Sequence, residues 1–131
     1  MRFLLDTNVL LWGLSTEHKL NFRAREILTS SSSELYFSAA SSWEIAIKFA
    51  LGSLPLPNAP SEFISHALGV WAVNALNITH QHALRAGELP AHHRDPFDRM
   101  LIAQALSEKM TLLTADRAFQ KYKVDLVYCG K

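Results

Sequence analysis

Cysteine is nearly missing: Cys129 is the only one in 131 residues. An intrachain disulfide and a multi-cysteine zinc or iron–sulfur site are thereby excluded, and a reducing compartment fits. Long apolar runs are missing as well. The longest, Ala67 to Val73, has 7 residues, whereas a membrane-crossing helix needs about 20. The stretch MRFLLDTN puts Asp6 where a secretory leader needs its apolar centre, so a soluble, cytoplasmic protein is expected. Neither sign of charge dominates: 13 Lys and Arg face 12 Asp and Glu, a formal charge of +1. That excludes a strongly basic nucleic-acid coat but leaves room for a local basic patch beside an acidic pocket. No internal repeat is visible.

What is present is a rich apolar fraction, 49%, with 19% charged residues. Disordered and low-complexity chains are excluded. The length suits one domain over residues 1–131 with a core of its own, and the apolar surplus hints at area left for a partner. Short apolar runs at 2–5, 34–38, 72–78, 111–114 and 125–128 read as strands. Between them lie helical patterns beginning at Asn8, over 22–29, in SAASSWEIAIKFALG, over 61–71, in THQHALRAGEL and in PFDRMLIAQALSEK, the last strongly amphipathic, with a short helix near 116–121. Strands and helices alternate. The expectation is an α/β fold with a mostly parallel sheet covered by helices.

Four acids fall in informative places. Asp6 follows the first strand and Asp116 the fourth, and in open parallel sheets ligands bind at the carboxyl ends of strands. Glu44 sits one turn into the helix after the second strand, and Asp98 in the first turn of the helix 96–109. Carboxylates gathered without matching cations are costly, because like charges push each other's pKa values up. A divalent hard cation removes that cost, and oxygen-only ligation without cysteine suits magnesium or manganese. Each acid also has a purely structural account. Asp6 and Asp116 can cap the helices that follow them. Glu44 and Lys48 are spaced as an i,i+4 ion pair. Asp95-Pro96-Phe97-Asp98 reads as an N-cap, a proline at the first helical position and an acid near the positive helix end.

Four stretches together resemble the PIN-domain ribonucleases, specifically the VapC-like toxins of bacterial toxin–antitoxin pairs: LLDTNVLLW (4–12), SSWEIAIKFALGSL (41–54), HRDPFDRMLIAQAL (93–106) and LLTADRAF (112–119). They span nearly the whole chain in the family's order. The resemblance implies a three-layer α/β/α sandwich with a parallel sheet of four or five strands. It implies an acidic quartet at Asp6, Glu44, Asp98 and Asp116, serving as catalytic residues and as ligands for Mg2+ or Mn2+. Of the two acids in HRDPFD, Asp98 takes the metal role and Asp95 the cap. RNA is the implied substrate and a small antitoxin the implied partner. A homodimer or higher assembly is implied as well.

Around the quartet, Thr114, Asn8 and Ser41 are candidates to orient carboxylates or water. Arg94, Arg99, Arg117 and Lys48 are candidates for phosphate contacts; a solvated cationic face is the competing account. Histidines offer little to a metal: His80 and His82 point to different faces of a helix start, His92 and His93 are loop neighbours, and no HExxH frame exists. Trp12, Trp43 and Trp71 are expected in the core or an interface. The stretch Pro55 to Trp71 is a candidate antitoxin or dimer surface. Among other classes, an aspartyl-nucleophile phosphatase wants a second aspartate where Asn8 stands, and a signalling receiver wants a late lysine after a strand. A PIN-fold module that binds RNA or protein without cutting is the remaining alternative.

Overall fold

Successive side chains of a strand point to opposite faces, and in β1 (Arg2–Leu5) both faces are buried. Phe3 and Leu5 enter one apolar cluster, Leu4 the other. β2 (Glu34–Ser38) divides the same way, with Leu35 and Phe37 on the first side and Tyr36 on the second. In β4 (Thr111–Thr114), Leu113 and Leu112 are split likewise. Strands apolar on both faces require cover on both. The computed structural model describes residues 1–92 and 94–131. His93, the first residue of the HRDPFD stretch and one of the two adjacent loop histidines, lies outside the described residues.

The cover is divided by chain order. α1 (Thr7–Ser15), α2 (Phe22–Thr29), α3 (Ala39–Ala50) and α4 (Pro60–Val70) supply Val9, Leu10, Ala24, Leu28, Ile45 and Ala67 to the first cluster. α6 (Pro96–Glu108) brings Leu101, Ile102 and Ala105 to the second, with α5 (His80–Glu88) packed on α6. With β3 (Asn74–Leu76) and β5 (Leu126–Tyr128) the sheet has five strands in the order β3-β2-β1-β4-β5, every pair parallel. This is the expected three-layer α/β/α sandwich. Successive strands run outward from β1 through β2 and β3, and the order then reverses to β4 on the other side of β1. The carboxyl ends of β1 and β4 therefore flank the switch point where such sheets open a crevice.

Several elements differ from the sequence expectation. β3 is shorter than 72–78 because α4 ends in a Schellman turn. Val73 N–H bonds the Leu68 carbonyl and Ala72 N–H the Gly69 carbonyl, with Ala72 left-handed at φ 51°. α6 is less amphipathic than expected: Leu101 to Ala105 are all buried, since the helix is enclosed by the sheet, α3 and α5. The short helix near 116–121 is a 3-10 turn over Arg117–Lys121, and a further 3-10 turn at Glu17–Lys19 was not anticipated. Trp12 and Trp71 pack against the first core. Trp43 does not belong to either core; it is 62% exposed, with its ring edge-on to Phe97 at 5.4 Å. Of the stretch Pro55–Trp71, Leu56, Ile64, Ala67, Leu68 and Trp71 face the core, so less of it is surface than expected.

Candidate active site

β1 ends where Asp6 takes the N-cap of α1. Its Oδ1 accepts the Thr7 N–H at 2.7 Å, which satisfies one of the unpaired amides at the helix start. Its Oδ2 accepts the Thr114 hydroxyl at 2.8 Å. The same Thr114 oxygen accepts the Asp116 N–H at 3.0 Å. One buried hydroxyl at the end of β4 thus ties the acid after β1 to the acid after β4. Asp116 in turn caps its 3-10 turn by accepting the Ala118 N–H at 2.9 Å.

The other acids arrive on helices. Ser38 caps α3 through the Ala40 N–H at 3.0 Å, and Glu44 follows one turn later, buried. Its Oε1 accepts the Thr7 hydroxyl at 2.7 Å and its Oε2 the Lys48 ammonium at 2.9 Å. Asp95 caps α6, accepting from Phe97 N–H at 2.8 Å and Asp98 N–H at 3.3 Å, with Pro96 in the first turn. That places Asp98 in the first turn, half-buried. The structural accounts of Asp95, Asp116 and the Glu44–Lys48 pair are therefore met, and the same residues nonetheless share one cavity.

That cavity holds about 240 Å³ and is lined by Asp6, Glu44, Asp98 and Asp116, with Asp95, Thr7, Asn8 and Lys48 around them and Leu11, Ile45 and Leu54 on its apolar side. Burial is the first cause that pushes Asp98 up to about 8; the charges of Asp6, Asp95, Glu44 and Asp116 add to it. Asp6 rises to about 6, again chiefly through burial, and the hydrogen bonds from Thr114 and Thr7 hold it back. These carboxylates lie within one another's field, and Lys48 is the one cation among the described lining residues.

The chemistry of the donor set suits a hard divalent cation: five carboxylates, one threonine hydroxyl, one asparagine amide and no sulfur. Among the described residues, no three or more His, Cys, Asp and Glu side chains are drawn together into a closed set of metal ligands. The carboxylates instead line the walls of an open pocket.

The remaining candidates separate. Asn8 lines the pocket and is exposed. Ser41 is buried one turn before Glu44, its Oγ without a hydrogen-bond partner among the described residues. Arg94 is exposed beside Asp95. Arg117 lies over the Tyr128 ring at 4.0 Å. Arg99 is turned away from the rim where it was expected. Its guanidinium donates to the carbonyls of Ala86, Leu89 and Pro90 at 2.8, 3.0 and 3.1 Å, so it braces the end of α5 and the following loop against α6. His82 is buried, with Nδ1 accepting the Thr79 N–H at 3.1 Å and Nε2 at 2.7 Å from Glu108. The residue that sequence reading missed is Thr7. Its hydroxyl joins α1 to Glu44 across 37 positions, and its only sequence signal was its place beside Asp6.

Comparison with known proteins agrees with the fold. The family profile described as PIN domain matches residues 3–125. No match is found among curated proteins. Among solved structures, the chain is similar to VapBC2 from Rickettsia felis, bound to a DNA fragment from its promoter, at 15% identity and TM-score 0.75, covering 98% of this chain and 99% of that one. It is similar to VapBC-1 from nontypeable Haemophilus influenzae at 22% identity and TM-score 0.68, covering 98% of each. A toxin–antitoxin complex from Klebsiella pneumoniae matches at 18% identity and TM-score 0.64, covering 95% and 94%. At these identities the structural likeness speaks to the fold.

Proposed function

This chain belongs to the PIN-domain family, and from that premise we propose that it is a divalent-metal-dependent endoribonuclease, the toxin of a VapBC-type pair. The observation that carries the reading is the convergence of Asp6, Glu44, Asp98 and Asp116 on one pocket at the carboxyl ends of β1 and β4. Asp6 and Asp98 are the main ligands for Mg2+ or Mn2+, with Glu44 and Asp116 completing the set directly or through water. Such a cation supplies activation of water and stabilisation of charge in an in-line displacement at phosphorus. Thr114 keeps Asp6 turned into the pocket and orders Asp116 behind it. Thr7 does the same for Glu44. Asn8 and Ser41 stand beside these carboxylates as further orienting groups. No serine or cysteine nucleophile is required.

Arg94, Arg117 and Lys48 are the phosphate contacts, and their small number predicts modest affinity for RNA at large. Discrimination then comes from RNA shape and exposed loop bases. The similarity to VapBC structures and to a toxin–antitoxin complex supports a small antitoxin as partner; assembly as a homodimer or higher is part of the proposal. No described helix is long and apolar enough to cross a membrane, and a cytoplasmic setting fits an RNA substrate.

The test is cleavage of total small RNA by purified, antitoxin-free protein with magnesium, with manganese and with chelator, beside Asp98→Asn. Metal-dependent cuts at one or a few sites, absent from the variant, are expected. Folded protein that cuts nothing under any of these conditions would favour the non-catalytic binding module.

A further inference from the structure

Glu44 enters the pocket with both oxygens engaged by unlike donors. Thr7 is buried and fixed by α1. Lys48 carries its ammonium on a flexible four-carbon stem, and its side chain is 52% exposed while that of Glu44 is 10% exposed. An ordinary i,i+4 pair on a helix surface has both ends in water. Here the anionic end is inside the pocket, and the charges of Asp95 and Asp98 also bear on the ammonium. Lys48 thus stands where a divalent cation would find its carboxylates. It can leave for solvent by rotation of its own side chain, with no change of backbone.

We propose that Lys48 is an internal counter-ion of the carboxylate pocket: its ammonium holds Glu44 Oε2 in the metal-free protein, competes with a divalent cation for that oxygen, and swings toward solvent when the cation binds. The proposal rests on the metal-dependent reading above. It explains how an acid-lined pocket exists before metal arrives, since one cation offsets part of the mutual repulsion. It also means that the ammonium is released at the pocket mouth only once metal is in place, where a phosphate of the substrate can accept it. Thr7 keeps Oε1 throughout, so Glu44 does not drift when Lys48 lets go.

Lys48→Met keeps the apolar stem and removes the charge. Mn2+ binding is read from the paramagnetic resonance signal of the free ion, with wild type, Lys48→Met, Lys48→Arg, Glu44→Gln and the double variant Glu44→Gln/Lys48→Met. The dissociation constant is expected to fall about three- to five-fold in Lys48→Met, the scale of a partly exposed ion pair, and to stay near wild type in Lys48→Arg. In the Glu44→Gln background the gain from removing Lys48 should shrink, because the contested carboxylate is gone. Metal-free Lys48→Met should melt below wild type and gain more on adding Mn2+. Unchanged or weaker Mn2+ binding in Lys48→Met overturns the proposal, and so does a gain of equal size in the Glu44→Gln background. Binding to wild type in either case leaves the metal-dependent reading standing. Absence of Mn2+ binding in all five proteins, folded by circular dichroism, overturns that reading and the proposal with it.

Discussion

The larger hollow of this molecule is not the one with the chemistry. Toward the amino ends of β1 and β2 lies an open cavity of about 620 Å³ lined by Met1, Phe3, Ile27, Val127, three serines and the oppositely charged Arg23 and Glu26. At the carboxyl ends of β1 and β4 lies the pocket of about 240 Å³ with five carboxylates and one lysine. The two ends of a parallel sheet differ in kind. At the carboxyl end β1, β2 and β4 lead within two residues to the cap of a helical turn, where side-chain oxygens are wanted and where the positive end of a helix favours anions. Asp6 and Asp116 are such caps, and Asp95 caps α6, which enters from the loop after α5. The amino ends receive helix C-termini and turns, and no comparable pressure gathers acids there. Charge held against its own repulsion marks the functional end better than volume does.

The largest break in this comparison should come from the ligands. Asp6→Ala, Glu44→Ala and Asp98→Ala should each lower RNA cleavage by more than about 100-fold, beyond what loss of an outer-shell partner costs, with the fold retained by circular dichroism. Full activity in any one would remove that residue from the site. Thr114→Val comes next. It deletes the hydroxyl shared by Asp6 and Asp116 N–H and should lower kcat by about 10–100-fold, with Thr114→Ser restoring most of it. If Thr114→Val and Thr114→Ser behave alike, the hydroxyl is not what orients Asp6.

A smaller effect concerns stability. Asp98 at about 8 and Asp6 at about 6 both lie above the ordinary carboxylate value of 3.8. Between pH ~4 and ~8 the folded, metal-free protein therefore retains protons that the unfolded chain has released. Its stability falls as pH rises through that window, and the penalty is complete above it. Asp98→Asn cannot ionise, so in chelator it should melt above wild type at pH 8, by about 4 °C per kcal/mol relieved, with the gap closing near pH 4. Mn2+ should reverse the order by stabilising wild type alone. Thermal scans from pH 4 to 9 with and without metal check both signs. At the other end of the sheet, Arg23→Ala and Glu26→Ala should stay within about 0.5 kcal/mol of wild type and leave cleavage unchanged; a large loss of activity there would end the contrast between the two cavities.

Much of this was legible beforehand because local rules and global fold agree. Asp95-Pro96-Phe97-Asp98 carries its cap chemistry within four residues, and α6 starts where that chemistry says. RFLL and TLLT read as strands, and they lie side by side at the centre of the sheet, where both faces are buried. Glu44 was harder. Its i,i+4 spacing to Lys48 describes a surface pair equally well, and only the packing of α3 beside α1 shows that the carboxylate is buried. The direction of Arg99 was not legible, since adjacency to Asp98 says nothing about which way a long side chain leaves the helix. Trp43 lies in an apolar stretch, yet its helical phase leaves it exposed.

From the order of its residues alone, this chain determined the alternation of strand and helix, the caps at Asp6, Asp95 and Asp116, and the acids that could meet, because those depend on period, backbone geometry and neighbours a few positions away. Tertiary structure decided that they do meet. The hydroxyl of Thr114 reaches Asp6 across 108 positions and that of Thr7 reaches Glu44 across 37, and burial by the assembled helices is what raises Asp98 and Asp6. Separation in sequence carries no information about such distances, and the dielectric surroundings of a carboxylate exist only once the core has closed around it.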